Sequence, residues 1–260
     1  MSVAATQNSR TMLNKVPAVT LVFWIIKILS TTVGETGADL LIFKLHWGLA
    51  LTSLVMLLPL LLIVILQLRA TRYVPWIYWS TVVMISIVGT LITDNLVDNL
   101  GVSLEATSIA FSVLLVLTFG IWHAQEQTLS INSIDTPKRE RFYWLAILFT
   151  FALGTAAGDL VGESMKLGYG VSALIFAGLI ALVAIAHYVF KLGVVTAFWV
   201  IYVLTRPFGA SCGDWLSKSV AKGGMGFGTL GTSEIFLVII VALVVYLTLQ
   251  DRRQLAAAAR

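Results

Sequence analysis

The chain has 260 residues, of which 58% are hydrophobic and 12% are charged, and its formal net charge is +4. A mean hydropathy of +0.93 excludes a soluble domain of ordinary composition, because so much apolar surface cannot be buried inside one core. The only cysteine, Cys212, excludes an intrachain disulfide and a multi-cysteine metal site.

Apolar runs that are long enough, or nearly so, to cross a hydrocarbon layer of about 30 Å recur along the whole chain. They lack the polar faces of soluble helices, so the sequence predicts an all-α integral membrane protein with eight transmembrane helices. No cleavage site follows a short apolar segment, so the first span is expected to be retained. The predicted spans are 17–43, 48–68, 76–97, 104–123, 142–163, 171–190, 192–215 and 234–250.

Basic residues between these spans are distributed unequally. Eleven lie on the side that holds both termini and four lie on the other side, so the positive-inside rule predicts that both termini are cytoplasmic. Anionic lipid and topology explain the basic charge better than nucleic acid does, and no nucleic-acid partner is expected. The eleven are Arg10, Lys15, Arg69, Arg72, Lys138, Arg139, Arg141, Lys191, Arg252, Arg253 and Arg260, and the four are Lys44, Lys166, Lys218 and Lys222.

Four tryptophans that directly follow another aromatic residue mark an internal repeat. A glycine lies ten residues after each tryptophan and an aspartate fifteen residues after it, here called positions +10 and +15. The tryptophans are 55, 65 and 55 residues apart, which indicates two similar halves of two quarters each. The aromatic pairs are Phe23-Trp24, Tyr78-Trp79, Tyr143-Trp144 and Phe198-Trp199. The +10 glycines are Gly34, Gly89, Gly154 and Gly209, and the +15 aspartates are Asp39, Asp94, Asp159 and Asp214.

Each quarter contains two spans, so all four quarters enter the membrane in the same direction and form parallel repeats rather than inverted ones. Parallel copies can converge on one central axis. The extra ten residues between the second and third tryptophans fall in a polar linker, the expected boundary between the halves. The predicted division is a cytoplasmic segment 1–16, a first half 17–123, a cytoplasmic linker 124–141, a second half 142–250 and a cytoplasmic tail 251–260.

On these aromatic-Trp, Gly and Asp patterns the sequence resembles a family of bacterial membrane proteins with four tandem copies of a repeat of unknown function. Each copy in that family has two spans and a characteristic tryptophan, and its members are often described as uncharacterised membrane-anchored proteins. The resemblance covers about residues 16–250. It implies the four-repeat architecture and a bacterial inner-membrane location, and it implies no activity.

Carboxylates gather at equivalent places in the repeats. On a helix that turns 100° per residue, positions +11 and +15 share the face of the tryptophan. Position +11 holds Glu35, Thr90, Thr155 and Ala210, and position +19 holds Phe43, Asp98, Glu163 and Lys218. Three quarters therefore have an acid pair at i,i+4, whereas the fourth pairs Asp214 with Lys218. The predicted site acids are Glu35, Asp39, Asp94, Asp98, Asp159, Glu163 and Asp214.

Like charges at this spacing destabilise a helix unless protons, a basic partner or a bound cation neutralise them. Oxygen ligands without thiol or imidazole suit a hard or borderline divalent cation such as manganese or magnesium, with Asp39, Asp94 and Asp159 as metal ligands. Solvated structural acids near the outer interface are the simpler alternative, and recognition of another cationic ligand is a third. Among the basic residues inside odd-numbered spans, Arg206 is expected to pair with a carboxylate, and Lys27 is close enough to the cytoplasm to snorkel.

The other repeated residues have ordinary explanations as well. The glycines at +10 allow close helix packing, or an unwound backbone whose carbonyls join a site. The aromatic-Trp pairs are typical of interface anchors. No phosphate-binding loop, nucleophile elbow or zinc-protease motif occurs in the sequence, so no enzymatic activity is expected.

The sequence thus favours a polytopic inner-membrane transporter or permease for a small cation, with the lipid bilayer and that cation as partners and homo-oligomerisation left open. The alternative is a non-transporting sensor or partner-binding protein whose acids are structural.

Overall fold

The computed structural model describes residues 14–44 and 46–258. The start of the predicted segment 1–16, with Arg10, and Arg260 lie outside these residues, as does the side chain of Lys44. The described chain forms eight long helices, named α1 to α8 in chain order, each long and apolar enough to cross a membrane. Their bounds are Leu21–Asp39, Gly48–Arg69, Pro75–Asp94, Leu104–Glu126, Pro137–Asp159, Tyr169–Phe190, Val194–Ser217 and Thr229–Ala258.

The predicted fold class, an all-α multi-pass membrane protein, is confirmed, but several helix ends differ from the predicted spans. The clearest case is α5, which begins at Pro137 rather than at 142. Thr136 caps it by accepting a hydrogen bond from the backbone N–H of Arg139 at 3.2 Å, and proline is well suited to the first helical position. Its first turn, KRER, is helical but too polar to belong to an apolar run.

The odd-numbered helices form an inner ring and the even-numbered helices an outer layer. In the apolar windows of α1, α3, α5 and α7 between 56% and 67% of residues are buried, whereas in the even helices the share is 11% to 22%. Around the ring α1 packs on α3, α3 on α5, α5 on α7, and α7 on α1. Each even helix packs on the odd helix that follows it, with α8 on α1 closing the circle.

The glycines at +10 set the close contacts around this ring. A Cβ at any of the four would lie closer than 3.0 Å to the residue at position +7 of the next repeat, so only glycine fits without a shift. This result favours the close-packing explanation of these glycines. The four contacts are Gly34 with Ser86, Gly89 with Phe151, Gly154 with Arg206, and Gly209 with Thr31.

The repeat aromatics lie inside the ring, at the amino-terminal ends of the odd helices. Trp79, Trp144 and Trp199 are buried, and Trp24 is half-buried against Phe198. Their partners Phe23, Tyr78, Tyr143 and Phe198 are buried as well, and the hydroxyls of Tyr78 and Tyr143 are hydrogen bonded. The expectation that these pairs are interface anchors is therefore wrong, because the rings pack on one another rather than on lipid.

A buried ion pair fastens the chain before α1 to this end of the bundle. Lys15 Nζ lies 2.6 Å from Glu140 Oε2, and both side chains are 1% exposed. Lys15 also donates to the carbonyl of Leu68, at 3.2 Å, at the end of α2. The indole N–H of Trp199 donates to the Leu129 carbonyl at 2.9 Å, which fastens the linker to the same end.

Candidate functional site

All seven predicted site acids line one cavity at the carboxyl-terminal ends of the odd helices. The cavity has a volume of about 360 Å³. It forms there because positions +11 and +15 face the ring axis and all four parallel repeats end at the same level. Its charged lining comprises Glu35, Asp39, Asp94, Asp98, Asp159, Glu163, Asp214 and Lys218.

Three carboxylates from three different helices approach one another most closely. One oxygen each of Glu35, Asp159 and Asp214 can be chosen so that all three lie within 4.8 Å of one another. Glu35 and Asp214 are 5% and 3% exposed, and Asp159 is half-buried. Oxygens at this separation can bind one hard cation together.

This triad differs from the predicted metal ligands. Asp159 is common to both sets, whereas Asp39 and Asp94 line the same cavity outside the triad. The predicted ligands Asp39, Asp94 and Asp159 occupy equivalent positions in three repeats. The triad instead combines Glu35 at +11 of the first repeat with Asp159 and Asp214 at +15 of the third and fourth repeats, so it breaks the fourfold pattern.

Arg206 closes the inner end of the acid cluster. Its side chain is fully buried and its Nη2 donates to Glu35 Oε2 at 3.3 Å, to Thr155 Oγ1 at 2.7 Å and to Thr90 Oγ1, while Nη1 donates to the Thr31 carbonyl at 3.1 Å. Because Arg206 lies on α7 and these partners lie on α1, α3 and α5, one guanidinium joins all four repeats. The expected pairing of Arg206 with a carboxylate is present, with Glu35.

Thr90 and Thr155 are the site residues that the sequence argument missed. They occupy position +11, where the first repeat has Glu35, and their hydroxyls contact each other at 3.3 Å as well as the guanidinium. The sequence signal that could have identified them is their equivalence to Glu35 at position +11. Position +11 holds one acid, two threonines and an alanine, and the acid and both hydroxyls contact the guanidinium of Arg206.

Lys218 is the second internal counter-charge. Its Nζ lies 3.4 Å from Asp214 Oδ1, the expected partner, and 2.7 Å from Asp39 Oδ2 on α1. Burial alone would lower the pKa of Lys218, but the carboxylates of Asp214 and Asp39 outweigh it and raise that pKa above the ordinary value of 10.5. Lys218 therefore ties the fourth repeat to the first.

The position +19 acids lie in short π-helical turns, not in regular α-helix. Such turns follow the +15 aspartate in the first three repeats, at Leu40–Lys44, Asn95–Asn99 and Leu160–Ser164. The fourth repeat differs, because α7 remains α-helical to Ser217. The predicted i,i+4 geometry therefore does not apply to Asp98 or Glu163, and Glu163 instead accepts a hydrogen bond from Tyr169 at 2.8 Å. Single π turns inside helices frequently occur at functional sites.

Lys27 does not snorkel. Its side chain is fully buried within the ring, and its Nζ lies 4.5 Å from the ring centroid of Phe151 and 4.4 Å from that of Tyr202. The distance from the end of α1 suggested that it could reach the surface, but the aromatic rings around it fill that path.

The profile of a family described as Repeat of Unknown Function (DUF347) matches the chain four times, at residues 22–73, 77–128, 142–192 and 197–253. The chain belongs to the DUF347 family. Each DUF347 match contains one inner and one outer helix, which confirms four tandem two-helix repeats. No curated protein and no solved structure matches the chain.

Proposed function

We propose that this DUF347 protein is a polytopic transporter or permease for a small cation, specifically a divalent metal ion such as manganese or magnesium. The observation that carries the proposal is the central cavity, which seven carboxylates line. Among the described side chains, the basic groups that contact these carboxylates are Lys218 in the lining and Arg206 below it, at Glu35. An excess of negative charge among membrane-spanning helices is costly unless a cation compensates it. The Glu35, Asp159 and Asp214 triad is the proposed binding site, and Asp39, Asp94, Asp98 and Glu163 form its approach.

An unsatisfied carboxylate oxygen on a triad residue supports a bound ion. Asp214 Oδ1 is buried and has no hydrogen-bond partner among the described residues, although Lys218 Nζ lies 3.4 Å away. A buried carboxylate oxygen without a donor is expensive. A divalent ion would satisfy it together with Glu35 and Asp159.

The proposed setting is the bacterial inner membrane with both termini in the cytoplasm, as the basic residues favour. The cavity then opens away from the cytoplasm, and the aromatic layer lies on the cytoplasmic side. We propose no enzymatic activity and no nucleic-acid partner.

Transport is tested in liposomes that contain the purified protein and a Mn²⁺-sensitive dye. We expect wild-type protein to admit Mn²⁺, and Asp159→Asn to reduce the flux to near the protein-free rate because a triad ligand is lost. Glu234→Gln, an equally conservative change of an exposed acid on α8, is the control. Equal flux through Asp159→Asn and wild-type protein would contradict the proposal.

A cation sensor is the second candidate, and one observation favours it. Arg206 and the buried aromatic layer close the ring axis below the acids. The cavity can therefore bind an ion in a structure that has no open passage along this axis. A sensor would bind Mn²⁺ with the same dependence on Asp159 and yet give no flux in the liposome assay.

A further inference from the structure

Lys27 is a buried lysine for which cation binding alone gives no role. No described residue accepts a hydrogen bond from its Nζ, although an ammonium carries three donors. The faces of Phe151 and Tyr202 offset part of the cost of its charge. They leave the N–H groups without acceptors, so the charged form of Lys27 carries a considerable cost.

The place of Lys27 in the ring puts it on the route of a transported ion. It lies on α1 at position +3 of the first repeat, and Glu35 of the triad lies eight residues later, about 12 Å along a helix. Arg206 lies between these two levels and shares the Phe151 ring, with its Cζ 5.4 Å from the centroid. A cation that leaves the triad towards the amino-terminal ends of the odd helices must pass both positive groups.

These two groups differ in their compensation and in their chemistry. The guanidinium of Arg206 keeps its proton, but Glu35 compensates its charge, whereas Lys27 has no hydrogen-bond partner among the described residues. A desolvated lysine also readily becomes a neutral amine. Besides Lys27, the titratable groups at this level are Tyr202 and Arg206 on α7, Tyr78 on α3 and Tyr143 on α5. On α8, which also packs on α1, they lie towards the two ends of the helix, at Glu234, Tyr246, Asp251, Arg252 and Arg253.

We propose that Lys27 carries the proton that is exchanged for the transported cation, which makes the protein a cation–proton exchanger. The Nζ ammonium releases one proton to the side from which the cation came, and the neutral amine lets the cation pass. The amine then takes a proton from the side to which the cation is delivered. This inference rests on the proposed function, because it assigns the coupling ion of the same transporter.

Two substitutions of Lys27 separate this role from a structural one. In Lys27→Arg the positive charge is permanent, so we expect Mn²⁺ flux in liposomes to fall to the protein-free rate. In Lys27→Met the charge is permanently absent, so downhill Mn²⁺ flux should remain, but an imposed pH gradient should no longer accelerate it or drive Mn²⁺ uphill. Lys222→Met, a change of an exposed lysine, should keep the wild-type response to the gradient.

Equilibrium Mn²⁺ binding by the same purified variants shows whether each one is folded with an intact triad. We expect wild-type affinity in both Lys27 variants. Wild-type coupling in both variants, loss of flux in both despite normal binding, or loss of binding in both would overturn the role of Lys27 and leave cation transport standing. Absence of Mn²⁺ binding and flux in the wild-type protein would instead overturn the proposed function, and the exchange mechanism with it.

Discussion

Arg206 is the residue on which the charge balance at the centre of the ring depends. It is fully buried, it neutralises Glu35, and it donates its other hydrogen bonds to hydroxyls and a carbonyl on neighbouring helices. Removing one member of a buried ion pair strongly destabilises the protein, since the other member is left charged and unpaired. The pair also limits the triad, because Glu35 shares its negative charge between Arg206 and any bound cation.

We expect Arg206→Met to lower the free energy of unfolding by about 3–5 kcal/mol. The cause is the uncompensated Glu35 carboxylate, so Arg206→Met combined with Glu35→Gln should be more stable than Arg206→Met alone. Thermal unfolding in detergent, arranged as a double-mutant cycle, measures the coupling. Additive effects of the two changes would show that the pair contributes nothing.

Lys218 competes with a cation for Asp39 and Asp214. Lys218→Gln should therefore strengthen Mn²⁺ binding, by about 1 kcal/mol or several-fold, since the lysine is 22% exposed and its pairs are partly screened. Because the pKa of Lys218 is raised above its ordinary value of 10.5, the competition should persist across neutral and moderately alkaline pH and should still be present at pH 10.5. Isothermal titration of the variant beside Lys222→Gln measures the difference, and weaker or unchanged binding in Lys218→Gln would refute the competition.

At the scale of helices, the close contact between each +10 glycine and the next repeat holds the inner ring together. Gly89 shows this clearly, because a Cβ there would meet the Cβ of Phe151 at 2.7 Å and the backbone nitrogen of Ala152 at 3.3 Å. Neither atom is the end of a flexible side chain, so α3 and α5 would have to separate. Such a separation would also widen the acid cavity.

Gly89→Ala should accordingly destabilise the protein by about 1–3 kcal/mol, the usual cost of overpacking. Gly178→Ala is the matched control, because a Cβ there meets nothing within 4 Å, and it should be neutral or slightly stabilising. Thermal unfolding midpoints of the two variants test the contrast. Equal midpoints would mean that α3 and α5 can separate enough to accommodate the Cβ at little cost in stability, and would contradict the role of the glycine.

At the scale of the whole molecule, the outer helices isolate the ring from lipid and the ring gathers its charges at one end. The aromatic layer and the buried Lys15–Glu140 pair cover the opposite end. The molecule therefore has one acidic, accessible end and one closed end. The proposed orientation assigns the closed end to the cytoplasm.

Orientation can be measured with single cysteines in a background in which Cys212 is replaced by serine. Lys138→Cys, at a position whose lysine side chain is 53% exposed, should be protected from an impermeant thiol reagent in intact cells. Lys222→Cys should be labelled. The reverse pattern would invert the proposed orientation and place the acid cavity on the cytoplasmic side.

The sequence predicts the fold well because a transmembrane helix is specified by length and hydrophobicity, and because the repeats are visible as a spacing of residues. It also predicts the common cavity of the seven acids, since parallel repeats bring equivalent positions to one level. The π turns after Asp39, Asp94 and Asp159 could not be predicted, since a single inserted residue in a helix leaves no periodic signal. The burial of the aromatic pairs could not be predicted either, because tryptophan is suited both to a membrane interface and to a packed helix core.

The grouping of Glu35, Asp159 and Asp214 also lay beyond the sequence. It depends on how far each helix leans towards the axis, and Arg206 and Lys218 hold Glu35 and Asp39 in unequal positions. The position of a residue in the repeat determines its height along the ring axis and the direction in which it faces. It does not determine how far its helix lies from that axis.

The central claim, that the acid cavity binds a divalent cation, is tested most directly by electron paramagnetic resonance of Mn²⁺ added to the purified protein. The six-line signal of free Mn²⁺ should disappear as a single ion binds each wild-type chain, and Mg²⁺ should restore it by competition. Asp159→Asn should weaken this binding by about 10–100-fold or more, because it removes a direct ligand, and loss of a residue that only hydrogen-bonds to a ligand already has an effect of that size. Glu234→Gln should bind Mn²⁺ as wild-type protein does. Mn²⁺ that stays free in the presence of wild-type protein, or that binds equally well to Asp159→Asn, would contradict the account.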